Sequence, residues 1–223
     1  HMTNAAKKEG VTKTVIRANV DRNGAVTLRG DIPKDAINPI VEVNYEDNRN
    51  TIDVGRYAKA VVSKLQEKYG FTKINMVGHS LGNMSILYYL LEHAQDENLP
   101  QLQKQVNIAN FAAGLEAMGL SSDVKVDKTT GQPNQVTQTF QRLLPLREVF
   151  PQNQIDVLNI YGDYKNGSDG SVLNSSSRSL KYLVADNAKS YQEKKITGKL
   201  AQHSQLHENP EVDKLLIQFL WGK

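Results

Sequence analysis

The sequence predicts an α/β fold in which a mostly parallel central sheet carries helices on both faces. Segments with the period of strands alternate with segments with the period of helices along most of the chain, which is the pattern of consecutive strand and helix units. The helix expected at residues 81–93 is apolar on several faces, as a helix covered by its neighbours would be. With 223 residues, the chain suits a single domain over residues 1–223.

The first part of the chain predicts a hairpin, a third strand and an amphipathic helix. Asn23-Gly24 is a turn signal between two strand-like segments. Gly70 stands where the helix should end, because glycine readily adopts the left-handed conformation of a helix cap. The strands are expected at residues 14–20, 25–28 and 40–45, and the helix at residues 55–69.

The remaining elements continue the alternation. Asn209 can cap the last helix and Pro210 fits its first turn. Glu211 and Asp213 then complement the positive end of the helix dipole. Strands are expected at residues 73–77, 105–108, 155–161 and 191–197, and helices at residues 81–93, 140–149 with a break at Pro145, 177–184, and from residue 210 onwards.

A longer segment, residues 111–135, is rich in Gly, Ser, Thr and Asp and shows little period. It contains Leu115, Met118 and Leu120, apolar side chains that would suit a lid over an acyl-binding site. An ordinary surface excursion explains the same composition equally well, so both interpretations stay open.

The composition narrows the class of protein. Hydrophobic residues make up 39% of the chain and charged residues 23%, and no apolar run approaches the roughly 18 residues that a membrane span needs. The net charge is only +3, and Lys and Arg are interleaved with Asp and Glu, so no nucleic-acid partner is indicated. The absence of cysteine excludes disulfides, thiol catalysis and thiolate metal sites.

A serine motif joins the strand predicted at residues 73–77 to the helix predicted at residues 81–93. Residues 78–82 read Gly-His-Ser-Leu-Gly, and a direct passage from strand to helix is the setting that a nucleophile elbow requires. We expect side chains at Gly78 and Gly82 to collide with backbone, and Ser80 to be strained with its hydroxyl projecting. The Leu81 amide at the helix start would stabilise an oxyanion.

Two other interpretations of this motif are weaker. A Gly-Ser turn can join a strand to a helix without any chemistry. A glycine-containing turn at a helix N-terminus can also bind phosphate, but the chain has neither G-x-G-x-x-G nor the Lys-Ser/Thr ending of a P-loop.

A serine hydroxyl needs a base, and two of the five histidines are well placed to supply one. His203 and His207 precede the last helix, in agreement with the chain order serine, acid, histidine that accompanies this motif. We favour His203, because it lies further from the helix start and a small serine follows it. His207 is the alternative, although it would also suit a structural role at the helix entry. His79, beside the serine, is expected to face away from it.

The loop after the strand predicted at residues 155–161 offers two aspartates as the acid of such a site. Asp163 lies at the strand end, whereas Asp169 lies in Asp-Gly-Ser-Val, a short turn that returns to an apolar anchor. We favour Asp169 and keep Asp163 as the alternative. The acid would hold the imidazole in the correct tautomer and stabilise its charged form.

With these residues in place, the chain resembles the α/β-hydrolase superfamily, and more closely a family of uncharacterised cell-surface α/β-hydrolases from Gram-positive bacteria. The resemblance implies an α/β-hydrolase fold, an esterase-like or lipase-like activity and an extracellular or cell-surface location. It also favours Asp169 and His203, because small bacterial lipases look similar in having Asp-Gly-x-Val for the acid and a histidine followed by a similar run into the last helix. The matching stretches are Val-Gly-His-Ser-Leu-Gly-Asn at residues 77–83, Leu-Asn-Ile-Tyr-Gly-Asp at 158–163 with Ser-Asp-Gly at 168–170, and Ala-Gln-His-Ser-Gln-Leu-His-Glu-Asn at 201–209 before Phe-Leu-Trp at 219–221.

The start of the chain departs from the superfamily. Its members usually begin with a strand that ends in a His-Gly loop, which supplies the second oxyanion amide, and nothing before Thr14 matches that loop. The resemblance therefore implies a complete protein with roughly thirty or more further N-terminal residues, the size of one strand and helix unit. The α/β-hydrolase fold is expected without its N-terminal strands in this chain.

The leading functional prediction is ester hydrolysis, with Ser80 as nucleophile and His203 as general base and acid. The substrate would be a small-molecule or lipid ester, with no cofactor, no metal and a monomer as the default state. A non-catalytic cell-surface binding module on the same scaffold is the alternative. Metal-dependent hydrolysis through His203, His207 and Glu208 is weaker, because the last helix starts after both histidines and helical ligand spacing is not expected.

Overall fold

The computed structural model describes residues 1–49 and 53–223, and its strands form two sheets. The strands are β1 Val15–Val20, β2 Val26–Arg29, β3 Ile40–Tyr45, β4 Lys73–His79, β5 Gln101–Ile108, β6 Asp156–Asp163 and β7 Ser190–Thr197. The three-stranded sheet has the order β2-β1-β3, and the four-stranded sheet has the order β4-β5-β6-β7. Only β1 and β2 pair antiparallel, so the mostly parallel arrangement is confirmed for the described residues.

From β3 onwards, α-helices lie between the strands as the alternation predicts, while an α-helix at the start of the chain and the 3-10 helices were not expected from the sequence. No helix among the described residues is both long and apolar enough to cross a membrane. The α-helices are α1 Met2–Lys8, α2 Val54–Tyr69, α3 Leu81–His93, α4 Gln138–Leu143, α5 Leu146–Val149, α6 Asn174–Arg178, α7 Leu180–Val184 and α8 Pro210–Trp221, and 3-10 helices lie at Glu116–Met118, Lys199–Ala201 and His203–Glu208.

Helices cover both faces of the four-stranded sheet. On one face, α2 and α3 pack closely, because Gly55 of α2 has no side chain. A Cβ at this position would lie only 2.7 Å from the Tyr88 Cβ of α3. On the other face, α8 packs through Val212 and Leu216 against apolar side chains of β5 and β6. The helices on both faces that the sequence predicts are therefore confirmed.

The parallel register brings three connections to one edge of the four-stranded sheet. The strands β4, β5, β6 and β7 run in the same direction, so their carboxyl ends lie at a common edge. Ser80 follows β4, and the loop that contains Asp169 follows β6. The segment that contains His203, called the histidine segment below, follows β7. In open parallel sheets, this edge is where binding and catalytic residues collect.

The hairpin of β1 and β2 is confirmed, and β3 then pairs parallel to β1. The carboxylate of Asp21 accepts hydrogen bonds from the amides of Asn23 and Ala25, which closes the turn. The Tyr45 hydroxyl at the end of β3 lies 2.5 Å from the Ser85 hydroxyl of α3, so this sheet also contacts the central helix.

Two element boundaries differ from the sequence prediction. Strand β5 begins at Gln101 rather than at residue 105, because its first residues are mainly polar and hide the strand period. The helix expected at residues 177–184 is two helices, α6 and α7, that meet at Ser179. The Ser179 hydroxyl donates to the Ser176 carbonyl, a local bond that competes with a continuous helix. The break at Pro145 between α4 and α5 is confirmed.

The segment 111–135 is tied to the rest of the fold at several points. The Thr137 hydroxyl donates to the Ala113 carbonyl at 2.7 Å, and the hydroxyls of Ser175 and Ser176 donate to the carbonyls of Val124 and Gly114. Its apolar side chains divide, with Leu120 buried and Met118 40% exposed. These anchors suit an ordered surface excursion, and a role as a lid stays a prediction.

Candidate active site

The serine motif forms a sharp turn from β4 into α3. Ser80 adopts φ 54° and ψ −117°, a conformation that is rare for a residue with a side chain and costs roughly 1–3 kcal/mol. The Ser80 amide donates to the Ile108 carbonyl at 3.1 Å, and the Ser80 carbonyl accepts from the Asn83 amide at 3.1 Å. The strain expected for Ser80 is therefore present, and neighbouring backbone groups hold it in place.

The two glycines of the motif have different reasons to be there. A Cβ on Gly78 would lie 2.8 Å from the carbonyl carbon of Gly82 and 2.9 Å from the Asn83 nitrogen, so the expected collision is present at Gly78. The expectation for Gly82 is wrong, because a Cβ there would meet no atom within 4 Å. Gly82 lies in the first turn of α3, and its missing side chain faces open space.

This difference predicts opposite outcomes for two matched substitutions. Gly78→Ala should force the turn open and lower the free energy of unfolding by about 1–3 kcal/mol, the usual cost of overpacking. Gly82→Ala should leave the melting temperature unchanged or slightly raised, since alanine is the better helix former. Thermal unfolding followed by far-UV circular dichroism measures both. Equal melting temperatures for the two variants would contradict the steric assignment.

The side chains of Ser80, His203 and Asp169 lie in one chain of hydrogen bonds. The His203 Nε2 atom lies 2.9 Å from the Ser80 Oγ, and the His203 Nδ1 atom lies 2.8 Å from the Asp169 Oδ2. A carboxylate can only accept, so Nδ1 carries a proton and Nε2 is left to accept from the serine hydroxyl. The structure thus brings together the three residues that the sequence favours.

The Asp169 carboxylate is buried, and backbone amides hold its second oxygen. Its Oδ1 accepts from the Ser171 amide at 2.9 Å and from the Val172 amide at 2.7 Å, while the residue is only 1% exposed. The Asp169 carbonyl also accepts from the His203 amide at 2.8 Å. These bonds fix the orientation of the carboxylate and compensate for its loss of water.

The alternatives for the acid and the base do not join this chain of bonds. The Asp163 Oδ2 lies 3.9 Å from the Lys195 Nζ, so this carboxylate faces a lysine. The His207 Nδ1 lies 3.5 Å from a carboxylate oxygen of Glu208, and its ring meets the His79 ring edge-on. No group of three or more His, Asp or Glu side chains within residues 1–49 and 53–223 is arranged to hold a metal ion.

The Leu81 amide lies at the start of α3, as the oxyanion prediction requires. Leu81 is the first residue of that helix, where the backbone N–H has no acceptor within the helix. The helix dipole also favours negative charge at this end. Residues 2–8, before the first strand, form α1, which packs near the end of α8 through Ala6 and Ile217.

Sequence reasoning missed two residues that shape this site. The Asn83 amide group is fully buried and donates to the carbonyls of Ser80 and Ile108, which braces the serine turn. A Cβ on Gly162 would lie 2.1 Å from the Ala201 carbonyl oxygen, so only glycine lets the histidine segment approach β6. A glycine at the end of an apolar strand is a recognised signal of such close approach.

The ring of His79 lies against the histidine segment. Its Nε2 atom is 2.9 Å from the His203 carbonyl oxygen, and its ring centroid is 5.0 Å from that of His203. Burial disfavours the charged imidazolium and lowers the pKa of His79 to about 4. The histidine inside the motif is therefore neutral near pH 7.

The side chain of Asn209 links the start of α8 to the segment that contains His203. Its Oδ1 accepts from the Glu211 amide at 2.8 Å, which confirms the predicted cap of α8. Its Nδ2 donates to the Leu200 carbonyl at 3.0 Å, three residues before His203. One buried side chain thus contacts both the helix start and the turn that precedes His203.

Comparisons with known proteins agree with this architecture. The chain is similar to the crystal structure of the product of the gene lin2722 of Listeria innocua, with 25% sequence identity and a TM-score of 0.85 over 100% of this chain and 87% of that one. It is also similar to the crystal structure of a proposed cell surface hydrolase from Lactobacillus plantarum WCFS1, with 21% identity and a TM-score of 0.83 over 100% of this chain and 84% of that one. No curated protein matches the sequence. The model of a family described as alpha/beta hydrolase of unknown function (DUF915) matches residues 1–223, and the chain belongs to that family.

Proposed function

We propose that this α/β-hydrolase cleaves carboxylic esters of a small molecule or a lipid, with Ser80 as nucleophile, His203 as general base and acid, and Asp169 as the orienting acid. The observation that carries the proposal is the unbroken path of hydrogen bonds from Ser80 Oγ through His203 to Asp169, with distances of 2.9 and 2.8 Å. Proton transfer requires this reach between nucleophile and base.

In the first half of the reaction, Ser80 Oγ attacks the ester carbonyl carbon while His203 Nε2 takes the hydroxyl proton. The Asp169 carboxylate stabilises the imidazolium that forms. The Leu81 amide would donate to the developing oxyanion. His203 then returns the proton to the leaving alkoxide oxygen, the ester C–O bond breaks, and the acyl group remains on Ser80.

In the second half, water replaces the alcohol. His203 takes a proton from the water as its oxygen attacks the acyl carbon, and it protonates Ser80 Oγ when the acyl-serine bond breaks. The products are a carboxylic acid and the free enzyme. The two half-reactions need no cofactor. A cell-surface location, which the Lactobacillus plantarum protein carries in its description, belongs to the same proposal.

A fluorophosphonate probe tests the proposal directly, because it labels a serine only when a neighbouring base activates it. We expect one label per chain, at Ser80, and no label on Ser80→Ala or on heat-unfolded protein. Turnover of p-nitrophenyl esters of rising acyl length would then define the substrate range. A folded protein that neither takes the label nor turns over these esters would contradict the proposal and favour a non-catalytic binding module.

A further inference from the structure

We propose that His79 is a positioning residue that holds the backbone of His203, and with it the base, at the correct distance from Ser80. The inference deepens the proposed function and rests on it, because it presumes that His203 acts as the base. His79 is the residue immediately before the nucleophile, at the end of β4.

The geometry gives His79 and Ser80 two separate contacts with the same residue. The His79 Nε2 atom lies 2.9 Å from the His203 carbonyl oxygen, and the Ser80 Oγ lies 2.9 Å from the His203 Nε2. A carbonyl can only accept, so His79 Nε2 carries a proton and donates it. Two adjacent residues therefore fix the main chain and the side chain of His203 at once.

The other peptide group of His203 is also held. Its amide donates to the Asp169 carbonyl at 2.8 Å, while its carbonyl accepts from His79. The segment that contains His203 is a short 3-10 helix, a form with weaker internal bonding than an α-helix. Without the His79 bond, the Asp169 carbonyl and this 3-10 helix would have to hold the main chain of His203.

The neutral state of His79 suits this role. Its ring lies near the rings of His203 and His207, and the Asp169 carboxylate is the nearby negative group. Burial lowers the pKa of His79 to about 4, so the bond to the carbonyl persists at neutral pH without a positive charge. A charged His79 would repel the imidazolium that forms on His203 during acyl transfer.

Three variants separate positioning from mere packing. His79→Phe keeps a ring but removes the donor, His79→Gln keeps a donor, and His93→Phe is the control at a histidine that ends α3. We expect His79→Phe to lower the rate of fluorophosphonate labelling and kcat by about tenfold or more with little change in KM, because small misplacement of a reacting group is costly. His79→Gln should recover most of that rate, and His93→Phe should match the wild type. Labelling of His79→Phe at the wild-type rate would overturn the inference.

A second measurement does not depend on turnover. The proton between His203 Nδ1 and Asp169 Oδ2 is expected to give a downfield proton NMR signal, which would report whether His203 is in place. We expect this signal to weaken or exchange faster in His79→Phe and to persist in His79→Gln. If wild-type protein neither takes the label nor turns over the esters, the proposed function fails, and this signal alone decides on His79. An unchanged signal in His79→Phe would then refute the inference. If His79→Phe does not fold, His79→Leu replaces it in both measurements.

Discussion

In the proposed ester hydrolysis, replacing His203 by alanine is expected to lower kcat by roughly four to six orders of magnitude, as the loss of the base does in serine hydrolases. The Ser80 hydroxyl would lose the acceptor that lies 2.9 Å away. Steady-state turnover of a p-nitrophenyl ester and the rate of fluorophosphonate labelling both measure this loss. The fold should survive, since the imidazole is partly exposed and lies at the edge of the sheet.

His207→Ala is the matched control, because this histidine lies four residues later and faces Glu208. We expect it to retain near wild-type turnover. Added imidazole should partly restore the activity of His203→Ala, because the vacated space ends at Ser80 Oγ on one side and Asp169 Oδ2 on the other. A large loss of turnover in His207→Ala, together with turnover retained in His203→Ala, would identify His207 as the base instead.

Asp169→Asn should lower kcat by about four orders of magnitude, because it reverses the tautomer of His203. The Asp169 Oδ1 accepts from two backbone amides, so the amide oxygen of asparagine must stay at that position. The NH2 group then replaces Oδ2 and donates to His203 Nδ1. The imidazole proton moves to Nε2, which can no longer accept the proton of Ser80.

The control for this prediction is Asp163→Asn, which removes the other aspartate of the loop. Its carboxylate lies near Lys195 and not near His203, so turnover should stay close to that of the wild type. Both variants are compared by kcat and by near-UV circular dichroism, which reports whether the tertiary packing is intact. A drop in kcat for Asp163→Asn, with none for Asp169→Asn, would identify Asp163 as the acid instead.

The fold class and the residues of the candidate site were accessible from the sequence because local patterns carry them. Alternation and helical spacing define most strands and helices, and residues that follow parallel strands meet at one edge of the sheet. Ser80, Asp169 and His203 each follow a different strand of the four-stranded sheet. The direction of the strands brings the loops that carry these residues to one edge. The choice of Asp169 over Asp163 and of His203 over His207 also rests on the resemblance to small bacterial lipases.

What the sequence left undecided depends on contacts between distant segments. The bonds of His79 to His203 and of Asn83 to Ile108 join residues far apart along the chain, and no local pattern signals them. Gly162 signals a close approach at the end of β6, but the sequence does not show that Ala201 is the partner. The collision expected at Gly82 was wrong, because the motif alone does not reveal which glycine faces the turn. The division into two sheets also depends on strand pairing, which local periodicity does not specify.

The double contact of Asn209 couples the start of α8 to the turn that precedes His203. Because one amide group caps α8 and also holds the turn before His203, fraying of that helix would loosen both together. A substitution at Asn209 would therefore act on the main chain before His203 as well as on the start of α8, although Asn209 is not itself one of the three residues of the candidate site.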